Sequence, residues 1–323
     1  MNADKVCSID EVVNKINSAA TISVYSHFNP DADAYGSSCA LYLALKKYGK
    51  KVSIFNESRF VKRYAFIPGT NSIKNNVELS ELALICDCGA LARTGDKFKE
   101  LIPKYPFIVN IDHHISNDYF GNLNYVLDKA SSTCEIIYGL IKALKIEIDS
   151  DIATALFSGI TGDTGSFRYS STSPATFRIA ADLVESGANL DLISSQFWGS
   201  KSLAAVKLSA EVMRNMKLHC GGKLAEVVAN QEIYTETSSC ADDSEDLVER
   251  ARDIEGVQIS IFMKWDNDQW KISMRSKDKK YNVSDVAACF GGGGHVSAAA
   301  FRWKKSFEEL RTAVIPKLEE LLA

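Results

Sequence analysis

The chain has 323 residues, with 37 lysine and arginine residues against 41 aspartate and glutamate residues, and a formal net charge of -4 at pH 7. This length predicts about two domains, and the hydrophobic content of 46% with a charged content of 24% is typical of a globular protein. The acidic balance argues against a binder of long nucleic acid. It permits a small anionic substrate if the positive charge is local or comes from metal ions.

The eight cysteines are scattered and form no C-x-x-C pair, so we expect reduced thiols rather than a structural zinc site. The segment from Met1 to Val13 is polar, which predicts no secretory signal. No apolar run approaches the ~18 residues that a membrane span needs. We therefore expect a cytoplasmic protein without membrane partners.

The first part of the sequence alternates short strand patterns with helix patterns. Apolar, β-branched strands separated by helices predict an α/β domain with a mostly parallel sheet flanked by helices, over residues 1–195. The predicted strands cover residues 22–25, 52–55, 82–86 and 107–111, and the predicted helices cover 36–48, 135–144 and 152–160.

The pattern changes near residue 196. Residues 196–219, with an amphipathic helix over 203–216, predict a helical connector. A smaller α+β domain is predicted over 220–323. Its predicted strands cover 223–229, 257–264 and 269–274, and a turn is predicted at 265–268. Its predicted helices cover 242–253 and 306–322. Asp242 and Glu245 have capping-box spacing at the start of the first of these helices.

Acidic and histidine residues follow three predicted strands of the first domain. Each group alone is typical of a turn or loop. Ligands of open parallel sheets bind at the carboxyl ends of the strands, so we expect these side chains to converge there. The residues are His27, Asp31 and Asp33 after the first strand, Asp87 after the strand 82–86, and Asp112, His113 and His114 after the strand 107–111.

Asp163 adds a carboxylate at the end of an apolar helix, where a helix cap is the simpler interpretation. Carboxylates and imidazoles without thiolates suit Mn²⁺ or Mg²⁺ better than a thiolate-type zinc site. Clustered carboxylates would repel one another without cations. The ligands suffice for two ions that share one carboxylate, as in phosphatases and nucleases, where the ions lie about 3.5–4 Å apart.

In these segments the chain resembles the DHH phosphoesterase superfamily, and most closely its bacterial nano-RNase/pAp phosphatase proteins, which are relatives of RecJ. The resemblance covers nearly the whole chain. It makes residues 1–195 a DHH catalytic domain and residues 220–323 a DHH-associated substrate-binding domain. The matching segments are His27 with Asp31-Ala32-Asp33, Asp87-Cys88-Gly89, Asp112-His113-His114, Ser131–Glu135, Gly162-Asp163-Thr164-Gly165 and the glycine–histidine segment Gly291–His295.

The resemblance implies two metal sites that share Asp87. One ion would be held by His27, Asp31 and Asp87, and the other by Asp33, Asp87, His113 and Asp163. Asp112 is implied to orient a neighbouring imidazole, and His114 to face the phosphate. The chain departs from the family at Ala90, where many relatives have a polar or acidic residue.

Further residues are candidates for binding the substrate. The glycine run offers backbone N–H donors to a phosphate, and a helix pattern over 296–300 would add a positive helix N-terminus. Arg275 corresponds to an Arg-Ser pair of relatives and suits a bidentate phosphate clamp. Residues 264–280 hold six basic and three acidic residues, most of which we expect to form a solvated face. The candidates are Arg275, Ser276, Gly292, Gly293, Gly294 and His295, with Arg168 and Asn282 as weaker ones; His219 is expected to be a surface or packing residue.

The resemblance implies a hydrolase with two divalent ions, Mn²⁺ or else Mg²⁺ or Co²⁺. It would cleave short RNA or DNA oligonucleotides and linear dinucleotides to 5′-mononucleotides, or pAp to AMP and phosphate, or both. Alternatives are a cyclic-dinucleotide phosphodiesterase, a pyrophosphatase or polyphosphatase, and a nucleotide-binding regulator without catalysis. The glycine–histidine segment argues against the pyrophosphatase branch, and the occupied ligand positions argue against lost catalysis. Whether the chain forms a homodimer stays open.

Overall fold

The computed structural model describes residues 6–58, 61–199, 201–244 and 246–323. The chain divides into two compact units, Met1–Ser200 and Lys201–Ala323. Glu245 of the predicted capping box lies outside the described residues. No helix within these ranges is long and apolar enough to cross a membrane.

The first unit contains a parallel sheet of six strands in the order β3-β2-β1-β4-β5-β6. All residues of β4 and β5 are buried, which fits the continuous apolar runs of strands that are covered on both faces. The predicted parallel α/β sheet is confirmed. The strands are β1 (Thr21–Tyr25), β2 (Lys51–Phe55), β3 (Ile73–Lys74), β4 (Leu82–Cys86), β5 (Ile108–Asp112) and β6 (Leu123–Val126).

Seven helices in the described part of this unit pack on the sheet or, like α6 and α7, on the helices that cover it. Helix α2 begins four residues earlier than predicted, because the carboxylate of Asp31 caps it by accepting hydrogen bonds from the backbone N–H groups of Asp33 and Ala34. The helices are α1 (Ile9–Ser18), α2 (Ala32–Lys47), α3 (Asp96–Leu101), α4 (Thr133–Ala143), α5 (Ser150–Asp163), α6 (Pro174–Glu185) and α7 (Leu190–Ser194), which a π-helical turn (Ser195–Gly199) follows.

Two glycines let α2, α4 and α5 pack closely. A Cβ on Gly36 would lie 2.6 Å from the carbonyl oxygen of Ala155 and 2.9 Å from Sγ of Cys134. A Cβ on Gly159 would overlap the same Sγ atom and lie 3.0 Å from Oδ1 of Asp33. Any larger side chain would therefore force these helices apart. Their close approach brings the start of α2 near the C-terminal half of α5.

The second unit has a mixed sheet in the order β11-β12-β10-β9-β8-β7. Only β8 and β9 run parallel among the described pairs, so this unit is α+β as predicted. Its elements are α8 (Leu203–Arg214), β7 (Lys217–His219), β8 (Leu224–Ala229), α9 (Gln231–Thr237), α10 (Leu247–Arg252), β9 (Ile259–Asp266), β10 (Gln269–Ser276), α11 (Val283–Ala288), β11 (Gly293–His295), β12 (Ala298–Trp303) and α12 (Phe307–Leu322).

The two faces of this sheet are covered differently. On one face Ile272 and Phe301 pack with residues of α11 and α12, such as Leu318. On the other face Val227 and Phe262 pack with α8, α9 and α10. Helix α8, which lies in the predicted connector, thus packs into the core of the second unit. These helices cover β8 and β9 but leave the outward side chains of β10 and β12 partly exposed.

Two predicted helices differ in the structure. The predicted helix over 242–253 is divided into a 3₁₀ turn (Ala241–Ser244) and α10, because Asp246 has a left-handed backbone with φ 61°. The helix predicted over 296–300 is wrong, since β12 begins at Ala298. There Ala299 and Phe301 face the core, and this two-residue burial period overrides the helix propensity of alanine. The glycine run is therefore followed by strand backbone and not by a helix N-terminus.

Candidate metal centre

Side chains from four segments meet at the carboxyl edge of the parallel sheet. His27 follows β1, Asp87 follows β4, and His113 follows β5. Asp33 lies in the first turn of α2, and Asp163 is the last residue of α5. The convergence expected from the strand ends is present in the structure.

Asp87 lies at the middle of this cluster and is only 2% exposed. Its Oδ2 atom is 3.5 Å from Nε2 of His27, and its Oδ1 atom is 3.7 Å from Nε2 of His113. Oδ1 is also 3.8 Å from Nδ1 of His114. The backbone of Asp87 has φ 54°, a conformation that aspartate and asparagine adopt more readily than most residues. The sharp turn after β4 thus directs this carboxylate between three imidazoles.

Three overlapping groups of side chains have the geometry to hold a cation. Within each group the potential ligand atoms lie within 4.8 Å of one another. Asp87 belongs to two groups and His113 to two, so neighbouring ions would share ligands. The donors are carboxylate oxygens and imidazole nitrogens, which fit Mn²⁺ or Mg²⁺. The groups are His27, Asp31 and Asp87; Asp33, His113 and Asp163; and Asp87, His113 and His114.

The imidazole of His27 is oriented by a backbone contact. Its Nδ1 atom lies 2.8 Å from the carbonyl oxygen of Phe28, which can only accept a hydrogen bond, so Nδ1 carries the proton. Nε2 then faces Asp87 and lies 3.9 Å from Oδ1 of Asp31. A ring nitrogen that is fixed in this way is typical of a metal ligand.

Asp33 binds the N-terminus of α4. One carboxylate oxygen accepts a hydrogen bond of 2.7 Å from the backbone N–H of Thr133, and the other accepts one of 2.9 Å from Cys134. The positive end of the helix dipole stabilises a carboxylate at this position. Sequence spacing did not reveal this contact, because it joins residues about one hundred positions apart.

Asp112 and His114 form a buried pair. Nδ1 of His114 lies 2.7 Å from Oδ1 of Asp112, which is completely buried. Asn117 donates a hydrogen bond of 2.6 Å to Oδ2 of Asp112 and one of 2.8 Å to Asn110. Both carboxylate oxygens are therefore held, and the carboxylate fixes the orientation of the imidazole. Asn117 was not predicted; an asparagine after three strand-end residues gives no signal by itself.

Burial and mutual repulsion change the pKa values of the carboxyl groups. Burial, together with the charge of Asp87, raises the pKa of Asp33 to about 7. Burial and then the charges of Asp33, Asp31 and Asp87 raise the pKa of Asp163 well above its usual value. The pKa of Asp87 is instead lowered, since the imidazoles outweigh its burial.

The pKa of His27, which follows β1, is also changed. Burial lowers the pKa of His27, but the neighbouring carboxylates of Asp31 and Asp87 outweigh it and raise the pKa to about 10. The cluster therefore retains protons near neutral pH. Cations that bind there would displace those protons.

Several candidates for substrate binding lie in the second unit. Arg275 lies in β10, where its Nε donates a hydrogen bond of 2.8 Å to Glu249 and its Nη1 one of 3.0 Å to the carbonyl oxygen of Met274. Ser276 is buried, and its hydroxyl has no hydrogen-bond partner within the described ranges. Asn282 caps α11 by accepting a hydrogen bond of 3.1 Å from Ser284, so its side-chain oxygen already has a structural role.

The glycine–histidine segment is extended. Gly293, Gly294 and His295 form β11 and pair with β12. A Cβ on Gly292 would overlap the carbonyl oxygen of Ala300, so only glycine fits there. In the sheet register Ala298 lies opposite both His295 and Arg275, so these three side chains share one face.

The two remaining residues are elsewhere. Arg168 is exposed in the first unit and donates a hydrogen bond of 2.7 Å to the carbonyl oxygen of Gly165, shortly after Asp163. His219 pairs with Glu226 at 2.7 Å in the second unit, as expected of a packing residue.

The fold and the cluster of carboxylates and imidazoles define the class of the protein. The chain belongs to the DHH family: the family's N-terminal domain matches residues 21–160, and the DHHA1 domain matches residues 227–323. The chain is 31% identical over 321 residues, 98% of its length and 95% of the relative's, to the bifunctional oligoribonuclease and PAP phosphatase NrnA of Thermus thermophilus. It is 28% identical over 302 residues, 92% of its length and 94% of the relative's, to the protein of the same name from Bacillus subtilis. The membership predicted from the sequence is confirmed.

Solved structures agree with this placement. The crystal structure of an exopolyphosphatase-related protein from Bacteroides fragilis matches with a TM-score of 0.91 and 26% identity, over 98% of this chain and 97% of the other. The crystal structure of exonuclease RecJ bound to manganese matches with a TM-score of 0.56 and 13% identity, over 97% of this chain and 95% of the other. The likeness to RecJ is one of fold.

Proposed function

We propose that the protein is a metal-dependent phosphoesterase that hydrolyses short oligoribonucleotides to 5′-mononucleotides and pAp to AMP and phosphate. The observation that carries the proposal is the shared carboxylate of Asp87, which belongs to two groups of potential metal ligands. The names of the relatives from Thermus thermophilus and Bacillus subtilis support the substrate class. The eight free thiols support a cytoplasmic location.

The cluster is proposed to hold two divalent ions, preferably Mn²⁺. One set of ligands is His27, Asp31 and Asp87, and the other is Asp33, Asp87, His113 and Asp163. When bound, the ions would supply an ionised water as nucleophile and stabilise charge at the phosphoryl group. The oxygen and nitrogen donors support this choice of metal.

His114 is proposed to act on the phosphate. The carboxylate of Asp112 holds the ring through Nδ1 and favours its protonated form, and its hydrogen bond raises the pKa of His114 against the lowering effect of burial. A protonated imidazole beside Asp87 can donate a hydrogen bond to a phosphoryl oxygen or a proton to the leaving oxygen. Asp112 is then a positioning residue.

The second unit is proposed to hold a phosphate of the substrate. Arg275 and His295 lie on one face of the sheet, on either side of Ala298. The backbone of Gly292, Gly293 and Gly294 allows a close approach, and Ser276 is next to Arg275. Arg168 and Asn282 are weaker candidates, because Arg168 lies in the first unit and the side-chain oxygen of Asn282 already caps α11.

The test is a panel of substrates assayed with Mn²⁺ and with a chelator. It contains pAp, di- to pentanucleotides, cyclic dinucleotides, pyrophosphate and bis-p-nitrophenyl phosphate. We expect release of mononucleotides from the short RNAs and of phosphate from pAp, and loss of both with the chelator. Turnover of pyrophosphate alone would show a pyrophosphatase. Binding of nucleotides without turnover would show a regulator.

A further inference from the structure

Three basic residues form a row across the second sheet. Lys271 of β10 lies opposite Lys264 of β9 on one side and opposite Arg302 of β12 on the other. Residues that are directly opposite in neighbouring strands have Cβ atoms about 4.5–5.5 Å apart and point to the same face. The row therefore places three cationic side chains side by side on the face that carries Arg275 and His295.

The positive charge of this row is poorly compensated. Lys271 and Arg302 form no ion pair within the residues that the structure describes. Lys264 donates hydrogen bonds of 2.8 Å to the carbonyl oxygen of Ala241 and 3.1 Å to the hydroxyl of Ser244, so it has no direct carboxylate partner there either. Like charges in opposite positions destabilise a sheet.

The pKa of Lys264 is consistent with this crowding. Burial lowers it first, and the charge of Lys271 lowers it further, to about 8, although Asp266 and Asp242 act in the opposite direction. Nearby carboxylates offset part of this charge but form no direct ion pair with the row among the described residues, so the row is suited to an anionic ligand.

A strip of small residues joins this row to Arg275 and His295. Ala300 of β12 lies opposite Ser273 of β10 and opposite Gly293 of β11. No large side chain rises from these three positions. On the face that carries this strip, the helices of the unit pack mainly on β8 and β9, and the other helices cover the opposite face. Arg302 and His295 are exposed. The strip is therefore a partly exposed surface of small residues with basic side chains at both ends.

The length of the strip suits an oligonucleotide. Lys271 and Arg275 are four residues apart in β10, which corresponds to about 13 Å at roughly 3.3 Å per residue. With both side chains upright from the sheet, this distance exceeds one sugar–phosphate repeat, so the two ends suit two different phosphates. A chain of several nucleotides can place separate phosphates at the two ends.

We propose that Lys271 and Arg302, with Lys264 beside them, bind a second backbone phosphate of an oligonucleotide whose first phosphate is held at Arg275 and His295. The strip of Ser273, Ala300 and Gly293 lies beneath the nucleotides between them. The proposal rests on the proposed function. It adds a binding position for the part of a longer substrate that lies beyond the first phosphate. Dinucleotides and pAp are too short to use the second position.

The test compares substrates of two lengths in one double variant. Lys271→Gln with Arg302→Gln removes the second position. The matched control is Lys217→Gln with Lys317→Gln, which removes two exposed charges elsewhere. Lys217 lies in β7, at the far edge of the sheet, and Lys317 lies in α12. We expect kcat/KM for a tetranucleotide, divided by kcat/KM for a dinucleotide, to fall about tenfold or more in the test variant. The control should keep the ratio of the unmodified protein.

Binding without turnover gives a second readout. Fluorescence anisotropy is measured with a labelled 2′-O-methyl phosphorothioate tetranucleotide and a chelator, at several salt concentrations. The slope of log K against log salt should decrease in magnitude by about 0.7 for each phosphate contact that is lost from a single strand. This assay separates the two proposals, because a protein that hydrolyses no phosphoester can still show the difference.

Two outcomes would overturn the inference. One is an unchanged length ratio and salt slope in the test variant. The other is an equal loss in the control, which would show a general effect of net charge. If the double variant fails to fold by circular dichroism, the single variant Arg302→Gln is measured instead. Arg302→Lys, which keeps the charge, is expected to retain most of the binding.

Discussion

The hydroxyl of Thr133 donates a hydrogen bond of 3.1 Å to Oδ1 of Asp87, across 46 positions of the chain. The backbone N–H of the same threonine holds Asp33. One residue at the start of α4 therefore positions two carboxylates of the proposed metal centre, and it does so without being a ligand itself.

Replacing Thr133 by valine removes this hydroxyl at nearly constant volume. We expect activity or Mn²⁺ affinity to fall about 10- to 100-fold, as is usual when a partner of a metal ligand is lost. Thr161→Val is the control, because the hydroxyl of Thr161 is buried without a partner within the described ranges. Titration of activity with Mn²⁺ measures both. Equal effects of the two substitutions would contradict the role of Thr133.

Asp87→Asn tests the shared carboxylate without disturbing the backbone. Asparagine tolerates a positive φ at least as well as aspartate, whereas alanine would be strained there. We expect the rate to fall by roughly 10³-fold or more, because the ions contribute several kcal/mol of transition-state stabilisation. Thermal unfolding shows whether the fold is intact. Near-normal Mn²⁺-dependent turnover would refute the assignment of Asp87.

Metal binding is expected to stabilise the protein more at higher pH. The pKa of Asp33 is raised to about 7 from its usual 3.8, so the metal-free fold holds a proton there that the unfolded chain has lost, and its stability falls as the pH rises between those values. The pKa of His27 is raised to about 10 from 6.5, and its contribution is likewise lost as the pH rises through that range. Mn²⁺ replaces these protons.

The measurement is Tm with Mn²⁺ and with a chelator from pH 6 to pH 8. The gain in Tm from Mn²⁺ should increase with pH. A gain that is independent of pH would show that the cluster does not exchange protons for metal.

Glu226 offers a stability test in the second unit. It is 1% exposed and accepts hydrogen bonds of 2.8 Å from Arg311 and 2.7 Å from His219. These partners outweigh burial and lower the pKa of Glu226, so its contribution is present above the usual value of 4.5 and is lost as the pH falls below it. We expect Glu226→Gln to lower the free energy of unfolding by about 1–3 kcal/mol at pH 7.

The effect of Glu226→Gln should shrink as the pH falls below 4.5, and urea unfolding at several pH values measures it. Glu211→Gln removes a partly exposed partner of the exposed Arg214 and is the control, with an expected effect of about 0–1 kcal/mol. A loss for Glu226→Gln that persists at low pH would show that the charge is not the stabilising feature.

Sequence patterns predicted the parallel sheet and the convergence of its strand ends, because buried strands have continuous apolar runs and parallel strands share a carboxyl edge. They did not reveal Thr133 or Asn117, whose roles depend on contacts that no local pattern encodes. The sequence patterns also predicted a helix over 296–300, where the structure has the start of β12. The alanines there have helix propensity, but Phe301 and Ala299 pack in the core of a sheet.

The short strand β11 has a second effect on the behaviour of the protein in solution. It is an outer strand of its sheet, and outer strands can pair with other molecules and cause aggregation. Here the outer strand is only three residues long and contains two glycines, which form strands poorly. We therefore expect the residues proposed to meet a phosphate to limit pairing at this edge of the sheet as well. Replacing Gly293, where a Cβ would meet nothing within 4 Å, by a β-branched residue would be expected to promote self-association.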